Sequence, residues 1–318
     1  MRWTVLLPTH AAAATLALAI DSVLSQRDGE FELIIVGDGC DDSTRAIIAS
    51  YTDTRLRFID RPKGDGFGYQ HRKAALAAAR GDYIAFMSDD DLWGPSHLLR
   101  LGRLLDAGHS LAYSRSLWCA PKGQLVPLHF DLTDPVAAQY LAERNYLPAP
   151  CVTVTRVALM AAGGWPTDVH KEGDWVLWRR VLALPGSTVA YDHVVSSIHF
   201  RSARRSTEPL PVEAILAMPN FEQSWPTGAI VVQAEYPTIQ SATTARFEDP
   251  DFWPALSTAL GVIDSRLVLA ATTLGSELLR VNSRQNNASL ELDRVYASLS
   301  WRITAPLRRV RAARRPQE

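Results

Sequence analysis

The chain has 318 residues, 47% of them hydrophobic and 21% charged, with a formal net charge of -1. That is enough for one large domain, or a domain with an extension, around a core of ordinary size. The net charge by itself says nothing about a polyanionic partner, but the lack of a basic face with interleaved aromatics argues against nucleic acid.

The first apolar run, Trp3 to Leu7, is cut short by Pro8, Thr9 and His10. It reads as a buried strand followed by an Ala/Leu-rich helix from Ala11 to Leu24, not as a signal peptide. Phe31 to Val36 is a second strand, ended by the turn Gly37-Asp38-Gly39. Asp42-Ser43-Thr44 caps a helix to about Tyr51, and Leu56 to Ile59 is a third strand. The loop Gly64 to Gly68 lacks the Gly-Lys-Ser/Thr of a P-loop and reads as a flexible connection. A helix from Ala74 to Arg80, stopped by Gly81, leads into a fourth strand, Tyr83 to Met87. Alternating strands and helices at this spacing predict a parallel sheet with helices on both faces. The three strand ends then share one edge, where open α/β sheets bind ligands.

The fourth strand runs into Asp89, Asp90 and Asp91. Three adjacent carboxylates repel, so a hard divalent cation with oxygen ligands is one reading of them. The other is a solvated turn in which Asp91 caps a helix starting near Pro95. Further on, the sequence predicts a helix from Leu98 to Leu105, a strand from Ser110 to Arg115 and an excursion from Trp118 to His129. A strand at Cys151 to Thr155, a short helix from Val157 to Ala162 and the turn Gly163 to Pro166 precede His170-Lys171-Glu172-Gly173-Asp174-Trp175. A helix to about Leu184 and closing strands at Val189 to Tyr191 and Val194 to His199 complete this part. Prolines spread from Pro209 to Pro254 mark a change of texture, and helices are expected again from Leu256 to Val281. The tail from Leu290 has helical apolar spacing and ends in arginines. The three cysteines, Cys40, Cys119 and Cys151, have neither CxxC nor zinc-like spacing, which fits a reducing cytoplasm.

Taken together, Leu6-Leu7-Pro8-Thr9-His10, Ile34 to Cys40 and Arg72 to Asp91 resemble the family-2 inverting nucleotide-sugar glycosyltransferases, over roughly the first two hundred residues. The resemblance implies a GT-A (Rossmann-like), mostly parallel α/β sheet flanked by helices, as a catalytic domain over residues 1–205. The change of texture beyond it reads as a mainly helical C-terminal extension over 206–289 and a basic amphipathic tail over 290–318. The resemblance bears on the first part. It also implies site roles: Pro8, Thr9 and His10 lining the base pocket, Asp38 accepting from the base, Arg72 against the nucleotide, and Asp89 at the ribose or the metal. Asp90 and His199 would hold a divalent metal, Mn2+ or Mg2+. Asp174 would be the catalytic base, with Glu172 as its rival. Gly37, Ser88 and Lys73 depart from the family pattern.

The expected donor is a UDP- or dTDP-sugar, and the expected acceptor a glycan or a lipid-linked sugar. The expected location is the cytoplasm, with the basic tail either resting on the inner face of the membrane or simply solvated. Two other readings stay open. One is a degenerate transferase acting as a scaffold. The other is a sugar nucleotidyltransferase, which would want a Gly-rich, Lys/Arg-bearing loop after the first strand.

Overall fold

The computed structural model describes residues 1–119, 125–127, 131–133, 137, 138, 141, 142 and 145–200. The expectations for the extension from residue 206 and for the basic tail lie outside these residues.

The first half alternates as its periodicity predicts: β1 (Trp3–Thr9), α1 (Leu16–Leu24), β2 (Phe31–Gly37), α2 (Asp42–Ala49), β3 (Leu56–Ile59), α3 (Tyr69–Ala77) and β4 (Tyr83–Phe86). Then come β5 (Leu92–Trp93), α4 (His97–Asp106), β6 (Leu111–Cys119), β7 (Leu125–Pro127), β8 (Val152–Thr155), α5 (Arg156–Ala161), α6 (Gly173–Leu182) and β9 (Val189–Phe200). One sheet runs β3-β2-β1-β4-β8-β6-β9-β5, with β7 on β6. Strands β3, β2, β1 and β4 pair in parallel, as do β6 and β9. The pairings of β8 with β4 and β6, of β5 with β9 and of β7 with β6 are antiparallel, so the sheet is mixed.

Both faces of the sheet are buried, which is why its strands read as apolar runs without alternation. Successive residues of β1 point to opposite faces. Val5 and Leu7 join Leu16, Ile20, Leu33, Trp93, Leu98 and Leu101 in one core. Leu6 joins Tyr69, Leu76, Ile84, Phe86, Trp165, Leu177 and Trp178 in the other. Two polar contacts fix the start of β4. Buried Glu32 accepts from Thr4 Oγ1 (2.7 Å) and from the backbone N–H and guanidinium of Arg80 (2.7 and 2.9 Å). Gly81 lies so close to β1 that a Cβ there would stand 2.3 Å from the Thr4 nitrogen.

Several boundaries differ from the sequence reading, each for a local reason. Helix α1 begins at Leu16 instead of Ala11, after a turn in which the Thr15 and Leu16 N–H groups both donate to the Ala12 carbonyl (3.0 Å each), while the Thr15 hydroxyl donates to the Asp89 carbonyl (2.8 Å). The α2 cap is Asp41, one residue early, with its carboxylate on the Thr44 N–H (2.8 Å). Strand β5 is too short to show a period, and it displaces the helix start from Pro95 to His97. Strand β6 continues past Arg115 through register shifts on either side of that residue, and the two expected closing strands are one, β9. All three cysteines are free and buried.

Candidate active site

The ends of β1, β2 and β4 meet at one edge. The Asp38 N–H donates to the Thr9 carbonyl (3.0 Å), and the Met87 N–H to the Leu6 carbonyl (2.9 Å). The Thr9 hydroxyl donates to Asp89 Oδ2 (2.9 Å). Asp89 is therefore tied to β1 by its side chain and to the start of α1 by its carbonyl. His10 is exposed at the rim, with Pro8 and Asp90 half-buried.

Asp38 is buried, and its Oδ1 accepts from the Gly64 N–H (2.6 Å). Lys63 Nζ donates to Oδ2, and His71 Nε2 stands 3.6 Å from Oδ1. Burial pushes this carboxyl up, but the hydrogen bonds from Lys63 and Gly64 and the charges of Lys63 and His71 outweigh it, leaving it below the usual aspartate value. The Gly64–Gly68 loop is thus fitted to Asp38, not a loose connection. Gly68 takes φ +70°, and a Cβ on it would fall 2.7 Å from Asp38 Cγ. Gly37, one of the departures, also has a local cause: a Cβ there would meet Cys40 Sγ, Phe58 and Asp60 at 3.0 Å each. Arg72 lies over the rings of Trp165 and Tyr69, 5.0 and 5.4 Å from their centroids, and donates to the Phe67 carbonyl (3.2 Å).

Asp91 does not cap a helix. It is fully buried and accepts from the Phe200 N–H (2.8 Å), while His199 Nδ1 stands 3.0 and 3.1 Å from its two oxygens. An ionised carboxylate only accepts, so Nδ1 carries the proton, and in the neutral ring Nε2 carries the lone pair. The ring is held further by Trp118, edge-on at 4.8 Å. A carboxylate behind the far nitrogen is how metal-binding histidines are commonly oriented. Among the described residues no three His, Cys, Asp or Glu side chains converge into a metal cage. Hard divalent cations that work on phosphates are commonly held by only one or two protein carboxylates.

Asp174 lies in the first turn of α6. Its Oδ2 accepts from Asn145 Nδ2 (3.1 Å) and its Oδ1 from the Trp175 N–H (2.8 Å). Glu172, at the cap position, is exposed with φ 58°, and its side chain caps nothing. Cys151 is buried, and burial, with the charges of Asp91 and Asp174, pushes its thiol well above the ordinary value. A pocket lined by Arg115, Trp118, Tyr146, Leu147, Cys151 and Tyr191 opens here. Trp178 is core, with its indole on the Leu147 carbonyl (3.2 Å), and the Trp175 indole donates to Leu141 (2.6 Å).

Lys63, His71, Tyr69 and Asn145 were not foreseen. Lys63 and His71 lie near the Gly-rich loop and gave a weak positional hint. Asn145 is a lone amide in an unpatterned stretch and gave none.

Residues 4–135 match the family model described as glycosyl transferase family 2. Over 106 residues the chain is 36% identical to the succinoglycan biosynthesis protein ExoO of Rhizobium meliloti, covering 33% of this chain and 30% of that one. It is 29% identical over 184 residues to WfgD of Escherichia coli, named as a UDP-Glc:alpha-D-GlcNAc-diphosphoundecaprenol beta-1,3-glucosyltransferase, covering 56% of this chain and 69% of that one. The match to the putative teichuronic acid glycosyltransferase TuaG of Bacillus subtilis is 34% identical over 92 residues, covering 28% of this chain and 36% of that one. The chain therefore spans about a third of the length of ExoO and of TuaG. Among solved structures, S. aureus TarS 1–349 in complex with UDP-GlcNAc superposes with TM-score 0.56 at 17% identity, covering 70% of this chain and 69% of that one. Uncomplexed TarS 1–349 gives TM-score 0.54 at 18% identity, covering 63% and 60%. At such identities the likeness establishes the fold, GT-A, and nothing finer.

Proposed function

We infer, from the membership of this chain in glycosyl transferase family 2 through residues 4–135, that it is an inverting transferase acting on a nucleoside-diphosphate sugar. The acceptor in this reading is a hydroxyl of a glycan or lipid-linked sugar. The observation that carries the reading is the meeting of Thr9, Asp38 and Asp89 at one sheet edge, where Thr9 joins the backbone of Asp38 to the carboxylate of Asp89.

In this mechanism the base and ribose lie against Pro8, Thr9, His10, Asp38 and Asp89, and Arg72 lies along the nucleotide. Engaging Asp38 requires Lys63 to give way or to share the carboxylate. Asp174 accepts the proton of the acceptor hydroxyl as that oxygen bonds to the anomeric carbon. The bond from that carbon to the diphosphate breaks on the opposite face, so the configuration inverts. Asn145, on one oxygen of Asp174, fixes the direction of the carboxylate. Glu172 serves this role less well, being exposed. A divalent cation, Mn2+ or Mg2+ held by Asp90 and His199, would neutralise charge on the leaving diphosphate.

A UDP- or dTDP-sugar is the favoured donor, in keeping with the UDP-GlcNAc bound to TarS and the UDP-Glc in the name of WfgD. The same name supports a lipid-diphosphate-linked acceptor, and such an acceptor would bring the enzyme to the surface of a membrane. No helix among the described residues is long and apolar enough to cross one. We assign residues 1–205 to the catalytic domain, 206–289 to an extension and 290–318 to a basic tail that contacts the membrane surface.

The test is calorimetric titration with UDP, dTDP, GDP and CDP, each with and without Mn2+, followed by product analysis. One nucleotide binding in a metal-dependent manner, and release of nucleoside diphosphate without pyrophosphate, is the expected result. Asp174→Asn should keep nucleotide affinity and lose turnover by about 10²- to 10⁴-fold. Normal turnover in that variant would remove Asp174 as the base and make Glu172 next. Binding of no nucleotide by the folded protein would favour a scaffold role.

A further inference from the structure

The helix that carries Asp174 starts without a cap of its own, since Glu172 sits left-handed at φ 58°, ψ 37° and bonds nothing there with its side chain. A helix start leaves its first backbone N–H groups unsatisfied. The Gly173 N–H is buried and donates to the phenolic oxygen of Tyr69, 3.0 Å away and 104 residues earlier in the chain. Backbone and ring are in close contact: a Cβ on Gly173 would stand 2.9 Å from Tyr69 Cζ. Tyr69 is itself held, 6% exposed, with its ring 5.9 Å from that of Trp165. It directly follows Gly68, the residue pressed against Asp38. Two consecutive residues therefore touch the proposed nucleobase carboxylate and the turn that bears the proposed general base.

We propose that Tyr69 is a positioning residue, a helix cap supplied from the nucleotide side of the site, which sets the first turn of α6 and so aims Asp174. This rests on the reading of Asp174 as the base. A nucleotide seated on Asp38 presses on the Gly64–Gly68 loop, and the phenol passes that constraint to Gly173. The ring provides the contact and the hydroxyl provides the cap, so Tyr69→Phe separates the two. It keeps the packing and leaves one buried donor unmet.

The experiment uses the full chain and has two arms. In the first, amide hydrogen exchange over residues 173–176 is followed with and without whichever of UDP, dTDP, GDP and CDP binds. Tyr69→Phe should speed exchange there about tenfold, leaving β1 and β2 unchanged. The nucleotide should slow exchange at 173–176 in the wild type and not in the variant. Unchanged exchange at 173–176 overturns the proposal, whether or not any donor is turned over. In the second arm, hydrolysis of UDP-glucose and UDP-GlcNAc is measured, with water as acceptor. Tyr69→Phe should lower kcat about tenfold or more with nucleotide affinity near wild type, and should have no further effect in an Asp174→Asn background. A loss of the same size in that background, or a matching loss of nucleotide affinity, also overturns it. Wild-type kcat in Tyr69→Phe with Asp174→Asn inactive refutes the positioning role alone. Wild-type kcat in Asp174→Asn refutes the base assignment and the positioning role with it.

Discussion

Replacing Asp91 by asparagine exchanges one oxygen for a nitrogen in a fully buried group that accepts from both Phe200 N–H and His199 Nδ1. A carboxylate satisfies both donors, whereas an amide has one acceptor and one donor end. With its oxygen on Phe200, that oxygen still lies within reach of His199 Nδ1, but the NH2 replaces the second oxygen beside the same nitrogen and favours the tautomer with the proton on Nε2, which has no lone pair to offer a cation. With the amide reversed, NH2 faces the Phe200 N–H, and an unmet buried donor costs about 1–3 kcal/mol. Carboxylates that orient metal-binding histidines are worth about 10- to 100-fold in metal affinity, or about 1.4–2.8 kcal/mol. The assay is Mn2+ titration at saturating nucleotide, with urea unfolding of the same preparation. Expected are Mn2+ binding weakened at least about tenfold, unfolding free energy lowered by about 1–2 kcal/mol, and metal-free nucleotide affinity unchanged. A variant that loses stability but binds Mn2+ as the wild type does would show that the pair only joins β9 to the β4–β5 turn. It would also remove His199 from the metal.

Three further outcomes follow from the geometry. Gly68→Ala puts a Cβ into Asp38 at φ +70°, so it should cost about 1–3 kcal/mol in denaturant unfolding and weaken nucleotide binding. Unchanged affinity would mean that Asp38 does not meet the base. His97 is wholly buried between Trp93 and Ser196, and burial holds it at about 3 against an ordinary 6.5. The unfolded chain therefore binds the extra proton first, and His97 takes stability away as pH falls below about 6.5. His97→Phe should flatten the decline in Tm between about pH 6.5 and 5, and an unaltered slope there would count against this linkage. Glu32, whose burial is outweighed by Thr4 and Arg80, lies below its ordinary 4.5. Its stabilisation is present above about pH 4.5 and lost as pH falls below, so Glu32→Gln should be less stable at neutral pH with a shallower acid limb in calorimetry.

The sheet edge was legible because strands buried on both faces are written as apolar runs, and their ends as Pro8-Thr9, Gly37-Asp38 and Ser88-Asp89. What the sequence could not show was pairing across distance. Asp91 looked like a cap because capping is local, while its partners lie 108 and 109 residues away. Asn145 and Asp174 meet only after α6 has docked. The Gly-rich loop read as slack because glycine spacing does not distinguish mobility from close approach to Asp38. Strand β5, two residues long, carries no periodic signal at all.

The last described strand also governs when the site can come into being. Strand β9 inserts between β6 and β5, and its final two residues are the ones that engage Asp91. During synthesis, a chain that has emerged only as far as α6 already holds every residue of β1 through β4. It would, however, have to bury the Asp91 carboxylate with no donor to meet it. Desolvating a lone carboxylate is costly enough to hold the β4–β5 turn open until β9 arrives. Pairing so distant in sequence is slow to form. The pairing of β1 with β2 that seats Asp38 would thus mature early, and the turn from Asp89 to Asp91, with the side near His199, only as the domain closes.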